Sequence, residues 1–294
     1  MTLTKPRNIQ RNIQVNRKLL SLYGLKWNPF AAGVPTDALM ATPAAQSFLW
    51  RIEQLVREGG FAAIHGEPGT GKSVVLRMLA ARLETITDVT TGVLTRPQAR
   101  PNDFYRELGE LFGVALSPHN RWAGAKALRE RWRTHIEASM CRPVLLIDEA
   151  QEMLPSVLGE LRLLCSTELD SRQVLTVVLA GDSRLAEKLC LPELLSVVTR
   201  IRTRLHTEPA CAEQLQGYLR HALEQVGNPH LLMADAVVGT LCEHAAGNLR
   251  VLMNPGHELL AVALERKLDC IDEKLFFEVY GQNIERCGRK VSAR

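Results

Sequence analysis

Residues 66–73 read Gly66-Glu67-Pro68-Gly69-Thr70-Gly71-Lys72-Ser73, the spacing GxxxxGK[ST]. An apolar stretch, FAAIH, precedes it, and SVVLRMLAARLE, with the pattern of a helix, follows it. Strand, glycine turn and helix in that order make a cradle for phosphate. The glycines let backbone N–H groups turn inward around anionic oxygens, and the helix N-terminus adds partial positive charge. Lys72 is expected to reach the β- and γ-phosphates, and the Ser73 hydroxyl to ligate Mg²⁺. All eight residues are candidate nucleotide contacts.

The remaining punctuation supplies the sheet such a loop requires. Thr42 reads as an N-cap, with Pro43 at the first helical position and Gly59-Gly60 ending that helix. Beyond FAAIH, VTTGVLT, RPVLLIDEA and VLTVVLAG read as strands, separated by the helices DFYRELGELFG and AKALRERWRTHIEASM. Strands alternating with helices imply a parallel sheet covered on both faces, an α/β class. After about residue 207 only helices are expected. The domains are therefore a basic N-terminal extension (1–40), an α/β nucleotide-binding domain (41–207), a small all-α domain (208–281) and a basic tail (282–294).

VLLIDEA carries the second half of the chemistry. Val144 to Ile147 make a buried strand that delivers Asp148 and Glu149 at its carboxyl end, where parallel sheets place ligand chemistry. Asp148 is expected to hold Mg²⁺, and Glu149 to polarise an attacking water as general base. An acid pair there could also cap the next helix. Its place downstream of the phosphate loop favours the catalytic reading.

Composition narrows the class. The chain has 294 residues, 46% hydrophobic and 23% charged, enough for two buried cores. No apolar run reaches the roughly 18 to 20 residues of a membrane span. The N-terminus lacks an apolar signal core, so a cytoplasmic location is expected. Seven cysteines without a CxxC pair fit neither a disulfide framework nor a zinc site. Net charge is only +4, but Lys5, Arg7, Arg11, Arg17, Lys18 and Lys26 precede the first acid, Asp37, and Arg286, Arg289, Lys290 and Arg294 close the tail. Basic ends suit nucleic acid or a solvated arm equally. In TRIRTRL, Arg200, Arg202 and Arg204 stand at every second position, which in a strand puts all three on one face.

The chain resembles the AAA+ ATPases, in the branch of the ExeA-type secretion ATPases and the transposition helpers TnsC and MuB. GLKWNPF, GEPGTGKS, LLIDEAQ, LAGDSRL, TRIRTRL and GNLR carry the likeness, across residues 24–250. The resemblance implies ATP and Mg²⁺ as cofactors and a helical lid after the sheet domain. It puts Asp182 at the sensor-1 position, where relatives often carry Asn, and Arg250 at sensor 2. It implies that Arg200, or failing it Arg204, reaches the γ-phosphate bound by an adjacent subunit, so a homo-oligomeric ring or helical filament follows. Arg202 could instead block edge aggregation. Trp27 and Phe30 would pack near the adenine edge, or simply in a core. ExeA-type proteins usually continue into a membrane span and a periplasmic domain. Neither is evident here, which favours an ATP-dependent transposition regulator that assembles on duplex DNA and recruits a transposase. In relatives the TRPQARPND region faces DNA, so Arg96, Arg100 and Asn102 are candidate contacts without sequence preference, a solvated loop being the alternative. Arg121, Arg129, Arg131 and Arg133 read as a solvated helix face, and Trp122 and Trp132 as packing residues. The alternative function is a cytoplasmic ExeA-like secretion or assembly ATPase. A replication initiator would need a winged-helix domain for which there is no room.

Overall fold

The computed structural model of the chain describes residues 22–115, 121–168, 171–227 and 232–280. The basic groups from Lys5 to Lys18, the tail from residue 281 and the side chains of Arg121 and Trp122 lie outside them. Two compact units divide the chain: one is Ala41–Glu208, and the other takes the residues up to Met40 together with those from Pro209 onward.

The first unit is built on strands β1 (Gly60–Gly66), β2 (Val89–Leu94), β3 (Arg142–Ile147), β4 (Ser166–Thr167), β5 (Arg172–Gln173), β6 (Thr176–Gly181) and β7 (Ile201–Thr207). Five of them form one parallel sheet in the order β2-β3-β6-β1-β7, and β4 and β5 make a short antiparallel pair. Its helices are α1 (Pro43–Glu58), α2 (Lys72–Glu84), α3 (Pro101–Phe112), α4 (Arg121–Ser139), α5 (Pro155–Cys165), α6 (Ser183–Leu189) and α7 (Leu195–Val198). The central strands β3 and β6 read as near-continuous apolar runs because helices cover both faces. Side chains divide between those faces with the strand period of two. Phe61, Ala63, Leu145, Ile147, Val177 and Leu179 join the core with α3, α4 and α5. Ala62, Ile64, Val144, Leu146, Val178 and Ala180 join the core with α1 and α2. Thr42 caps α1, its Oγ1 accepting from Ala45 N at 3.0 Å, with Pro43 in the first turn. Trp132 is a packing residue, buried edge-on to Phe112 with ring centroids 5.3 Å apart.

β7 is an edge strand, and its pattern is mixed. Ile201, Thr203 and Leu205 are buried, while Arg202, Arg204 and His206 are exposed. Pairing with β1 slips at Phe61/Ala62, and β7 begins only at Ile201. Because the strand starts after it, Arg200 sits in the turn after α7, half-buried, instead of sharing a strand face with the other two.

The second unit holds α8 (Ala212–Val226), α9 (Asp235–Ala245), α10 (Leu249–Arg266), further helix over 273–280, and the segment 22–40. Leu25 and Phe30, which the sequence assigns to an extension, lie in the same core as Leu215, Leu219, Leu252 and Leu260. The segment is also pinned by hydrogen bonds. Lys26 N donates to Val226 O at 3.1 Å and Tyr23 Oη to Leu268 O at 2.6 Å. Asn28 Oδ1 accepts from Phe30 N at 2.9 Å, and its Nδ2 meets His257 Nδ1 at 3.0 Å. Phe30 thus takes the core-packing alternative, with its ring set directly against Gly256 of α10. Trp27 packs against that core, partly buried. No helix of the described residues is long and apolar enough to cross a membrane.

Candidate active site

The carboxyl ends of β1, β3, β6 and β7 open on one edge of the sheet, and the candidate site is assembled there. β1 runs into the loop 66–73, whose Gly69 and Gly71 have φ of 85° and 96°, a left-handed conformation that suits residues without a Cβ. Gly71 caps α2, so Lys72 and Ser73 occupy its first turn. Gly66 has no room for a side chain, since a Cβ there would overlap the Thr207 carbonyl and hydroxyl oxygens. β7 thereby closes on the loop, and Thr70 Oγ1 meets Thr207 Oγ1 at 2.7 Å. Lys72 is buried, and its Nζ donates to Gly66 O at 2.8 Å and Glu67 O at 2.9 Å. Burial lowers its pKa, while Glu149, Asp182, Asp148 and Glu67 oppose that shift. An ammonium is thus set among four carboxylates, an arrangement that could serve phosphate and a cation together.

At the end of β3, Asp148 is half-buried and Glu149 exposed. Asp148 Oδ1 accepts from Glu149 N at 2.9 Å, and Glu149 has φ 51°, the left-handed region for a residue with a Cβ. Gln151 is 4% exposed; its Nε2 donates to Glu149 Oε2 and its Oε1 accepts from Asp182 N at 3.2 Å. The sequence offers DEAQ as a family label and no task for this glutamine. At the end of β6, Asp182 caps α6, accepting from Arg184 N at 3.0 Å. Arg184 also clasps the carboxylate through Nε at 2.9 Å and Nη2 at 2.8 Å, and reaches Glu152 at 3.0 Å. The Arg184 hydrogen bond is the main reason the Asp182 carboxyl lies below its usual range. The Asp182 carboxylate is therefore not a bare negative charge. His65 and His206, beside the loop, lie with ring centroids 4.7 Å apart. Burial first, then His206 and Arg204, lowers the His65 pKa.

The other candidates stand on other elements, Arg250 in the helical unit and the rest in the sheet unit. Arg200 Nη1 is bonded to Ser196 O, Arg204 Nη2 donates to Val198 O at 3.2 Å, and Arg202 pairs with Glu58 at 2.5 Å. Thr207 is level with Gly66 and Ile201 with Phe61, so the strand start beside Arg200 lies five β1 residues, roughly 17 Å, back from Gly66. No side chain covers that gap to the phosphate loop of its own chain. Arg96 and Arg100 are exposed in the loop after β2, and neither has a carboxylate partner among the described residues. That loop starts at Thr95, whose N and Oγ1 both donate to Glu107 Oε1 at 2.6 Å, and Asn102 is exposed in the first turn of α3. Arg250 is exposed in the first turn of α10, where Asn248 Oδ1 accepts from its backbone N at 2.9 Å. The glycine of GNLR is required too: Gly247 has φ 86°, and a Cβ there would stand 2.8 Å from Pro209 Cβ.

Residues 56–189 match the AAA domain family. The general secretion pathway protein A of Aeromonas hydrophila is 33% identical over 234 residues, which are 78% of this chain and 42% of that protein. The chain thus spans less than half the length of that relative. Among solved structures, Cdc6p from Pyrobaculum aerophilum is similar with a TM-score of 0.65 at 16% identity, over 83% of this chain and 67% of that one. The Aeropyrum pernix ORC1 protein, in complex with DNA, has a TM-score of 0.65 at 19% identity, over 90% and 69%. Domain III of the Thermotoga maritima replication initiation protein DnaA has a TM-score of 0.58 at 18% identity, over 87% and 98%. The parallel five-stranded sheet with its flanking helices is the AAA+ fold these proteins share.

Proposed function

We propose that this chain, with its phosphate loop and AAA+ fold, is an ATPase and an oligomeric, ATP-dependent regulator of transposition that assembles on duplex DNA and recruits or activates a transposase. The observation that carries the oligomeric part is the distance between Arg200 and the phosphate loop. An arginine that cannot serve its own site, in a fold whose chemistry gains from a trans guanidinium, is suited to a neighbour's γ-phosphate. Arg204 lies nearer its own loop and fits that role less well.

Within the site, the Gly66–Ser73 loop and Lys72 would bind the phosphates, and Arg250 would contact nucleotide from the helical unit. Ser73 and Asp148 would hold Mg²⁺, whose charge offsets that of the phosphate oxygens. Their position beside the buried Lys72 and its carboxylates fits that group. Glu149 would accept a proton from the attacking water, yielding ADP and phosphate, with Asp182 orienting the turn beside it. Arg96 and Arg100, exposed and without a carboxylate partner among the described residues, support contact with DNA phosphates, Asn102 adding a neutral contact. The fold shared with the Aeropyrum pernix ORC1 protein, whose structure is in complex with DNA, is consistent with this.

Hydrolysis would then release the assembly. A Glu149→Gln chain should bind ATP, fail to hydrolyse it and persist as oligomers on duplex DNA, as seen by sedimentation and negative-stain imaging. A monomeric, DNA-independent variant with ATP bound would rule the proposal out. A second reading, a secretion or assembly ATPase acting on protein partners, is favoured by the 33% identity to the secretion protein. Affinity purification that recovers envelope proteins and no DNA would select it.

A further inference from the structure

Glu149 occupies the left-handed region without being a glycine. Such a conformation persists only where the surroundings over-determine it. Here the surroundings are a tight turn, Ala150–Glu152, in which Glu152 N donates to Glu149 O at 2.9 Å and Met153 N to Ala150 O at 3.1 Å. Lys188 of α6 fastens that turn from outside, its Nζ donating to Gln151 O and, at 2.8 Å, to Met153 O.

At the centre stands the Gln151 side chain, buried and joined at both ends. Its amide orientation is dictated by its partners. Asp182 N is a donor and needs the amide oxygen, while the Glu149 carboxylate is an acceptor and needs the amide N–H. The sequence makes space for this bridge at Gly181, where a Cβ would stand 2.6 Å from Gln151 Oε1 and 2.8 Å from Leu185 Cβ.

We propose that Gln151 is a positioning residue for hydrolysis. It ties the Glu149 carboxylate, through one oxygen, to the backbone at the end of β6. The other oxygen is left to face water. The same bridge makes the base answer to the Asp182–Arg184 turn: a shift of that turn at the phosphate end of the sheet moves the Glu149 carboxylate with it. The inference rests on the reading of Glu149 as general base, and it adds that the base is aimed by a residue that never touches nucleotide.

The test is a double-mutant cycle in the full chain, with ATP and Mg²⁺, reading kcat and KM separately. Gln151→Glu keeps the size of the side chain and an acceptor for Asp182 N, but loses the donor to Glu149. Gln151→Met loses both ends, and the isosteric variant carries the test if this one does not fold. Each should lower kcat by about 10- to 100-fold, the cost of a mis-set reacting group, with KM within about threefold. Neither should lower the residual rate of a Glu149→Gln chain any further, because Gln151 acts only through Glu149. Native turnover in both Gln151 variants, or losses that multiply with that of Glu149→Gln, would overturn the inference while leaving Glu149 as the base. Native turnover in Glu149→Gln alone would overturn both.

Discussion

Gly256→Ala sets two effects of opposite sign against each other. The residue lies inside α10, where replacing Gly by Ala should stabilise an exposed helix by about 1 kcal/mol. In this chain the added methyl would lie 2.5 and 2.9 Å from two Phe30 ring carbons and closer still to a third. Phe30 is 6% exposed and cannot slide away cheaply, because its backbone N is held by Asn28 Oδ1 at 2.9 Å. Overpacking of this kind costs about 1–3 kcal/mol, and full expulsion of the ring would forfeit a similar amount of apolar burial. Packing wins, and a net loss of about 1–2 kcal/mol is expected. Urea titration of the full chain should show the helical unit melting earlier. The decisive comparison is Phe30→Ala with and without Gly256→Ala. Once the ring is gone, the same methyl should become stabilising, by about 1 kcal/mol. If Gly256→Ala stabilises the native chain, or costs as much without Phe30 as with it, the ring-on-glycine contact does not hold the segment 22–40 to α10.

Three further outcomes are expected. An Arg200→Ala chain should lose ATPase activity by about 10³-fold or more, the scale of a trans arginine, and mixing it with an equal amount of Lys72→Ala chain should restore part of it; no recovery would argue against a shared site. The log affinity for duplex DNA should fall linearly with log salt, and removing Arg96 and Arg100 should each reduce the slope by about 0.9; a flat response would remove DNA from the account. The lowered pKa of His65 makes stability depend on pH: its contribution is complete above the ordinary value of 6.5 and is lost as pH falls through the lower folded value. Urea midpoints between pH 7.5 and 5 should therefore decline more steeply in the native chain than in His65→Asn, and equal slopes would refute it.

What could be read from sequence was what short stretches encode. β1, β3 and β6 are apolar runs bounded by glycine or acid, and the loop 66–73, Asp148 and Glu149 follow them directly. Thr42-Pro43 announces α1 for equally local reasons. The features that escaped depend on contacts between distant residues. β7 begins only at Ile201, so Arg200 falls in the turn before it and leaves the strand face, and nothing in TRIRTRL marks this. The segment 22–40 looks like an extension because the partners of Leu25 and Phe30 lie beyond residue 209. The bridge from Glu149 through Gln151 to Asp182 needs β3 and β6 side by side. Only the neutralisation of Asp182 was within reach, since an N-cap acid followed two residues later by Arg184 is a local pattern.

The helical unit is made of two pieces of chain, and the whole sheet unit is threaded between them. Joining two pieces across a flexible loop of about 170 residues would cost about 4.5 kcal/mol plus a constant in chain entropy. A folded sheet unit has already surrendered that freedom. The order of assembly follows: the contiguous unit matures first and delivers Leu25 and Phe30 to their late partners. Damage to the sheet should then be felt as fraying of the helices, even when no substituted atom touches them.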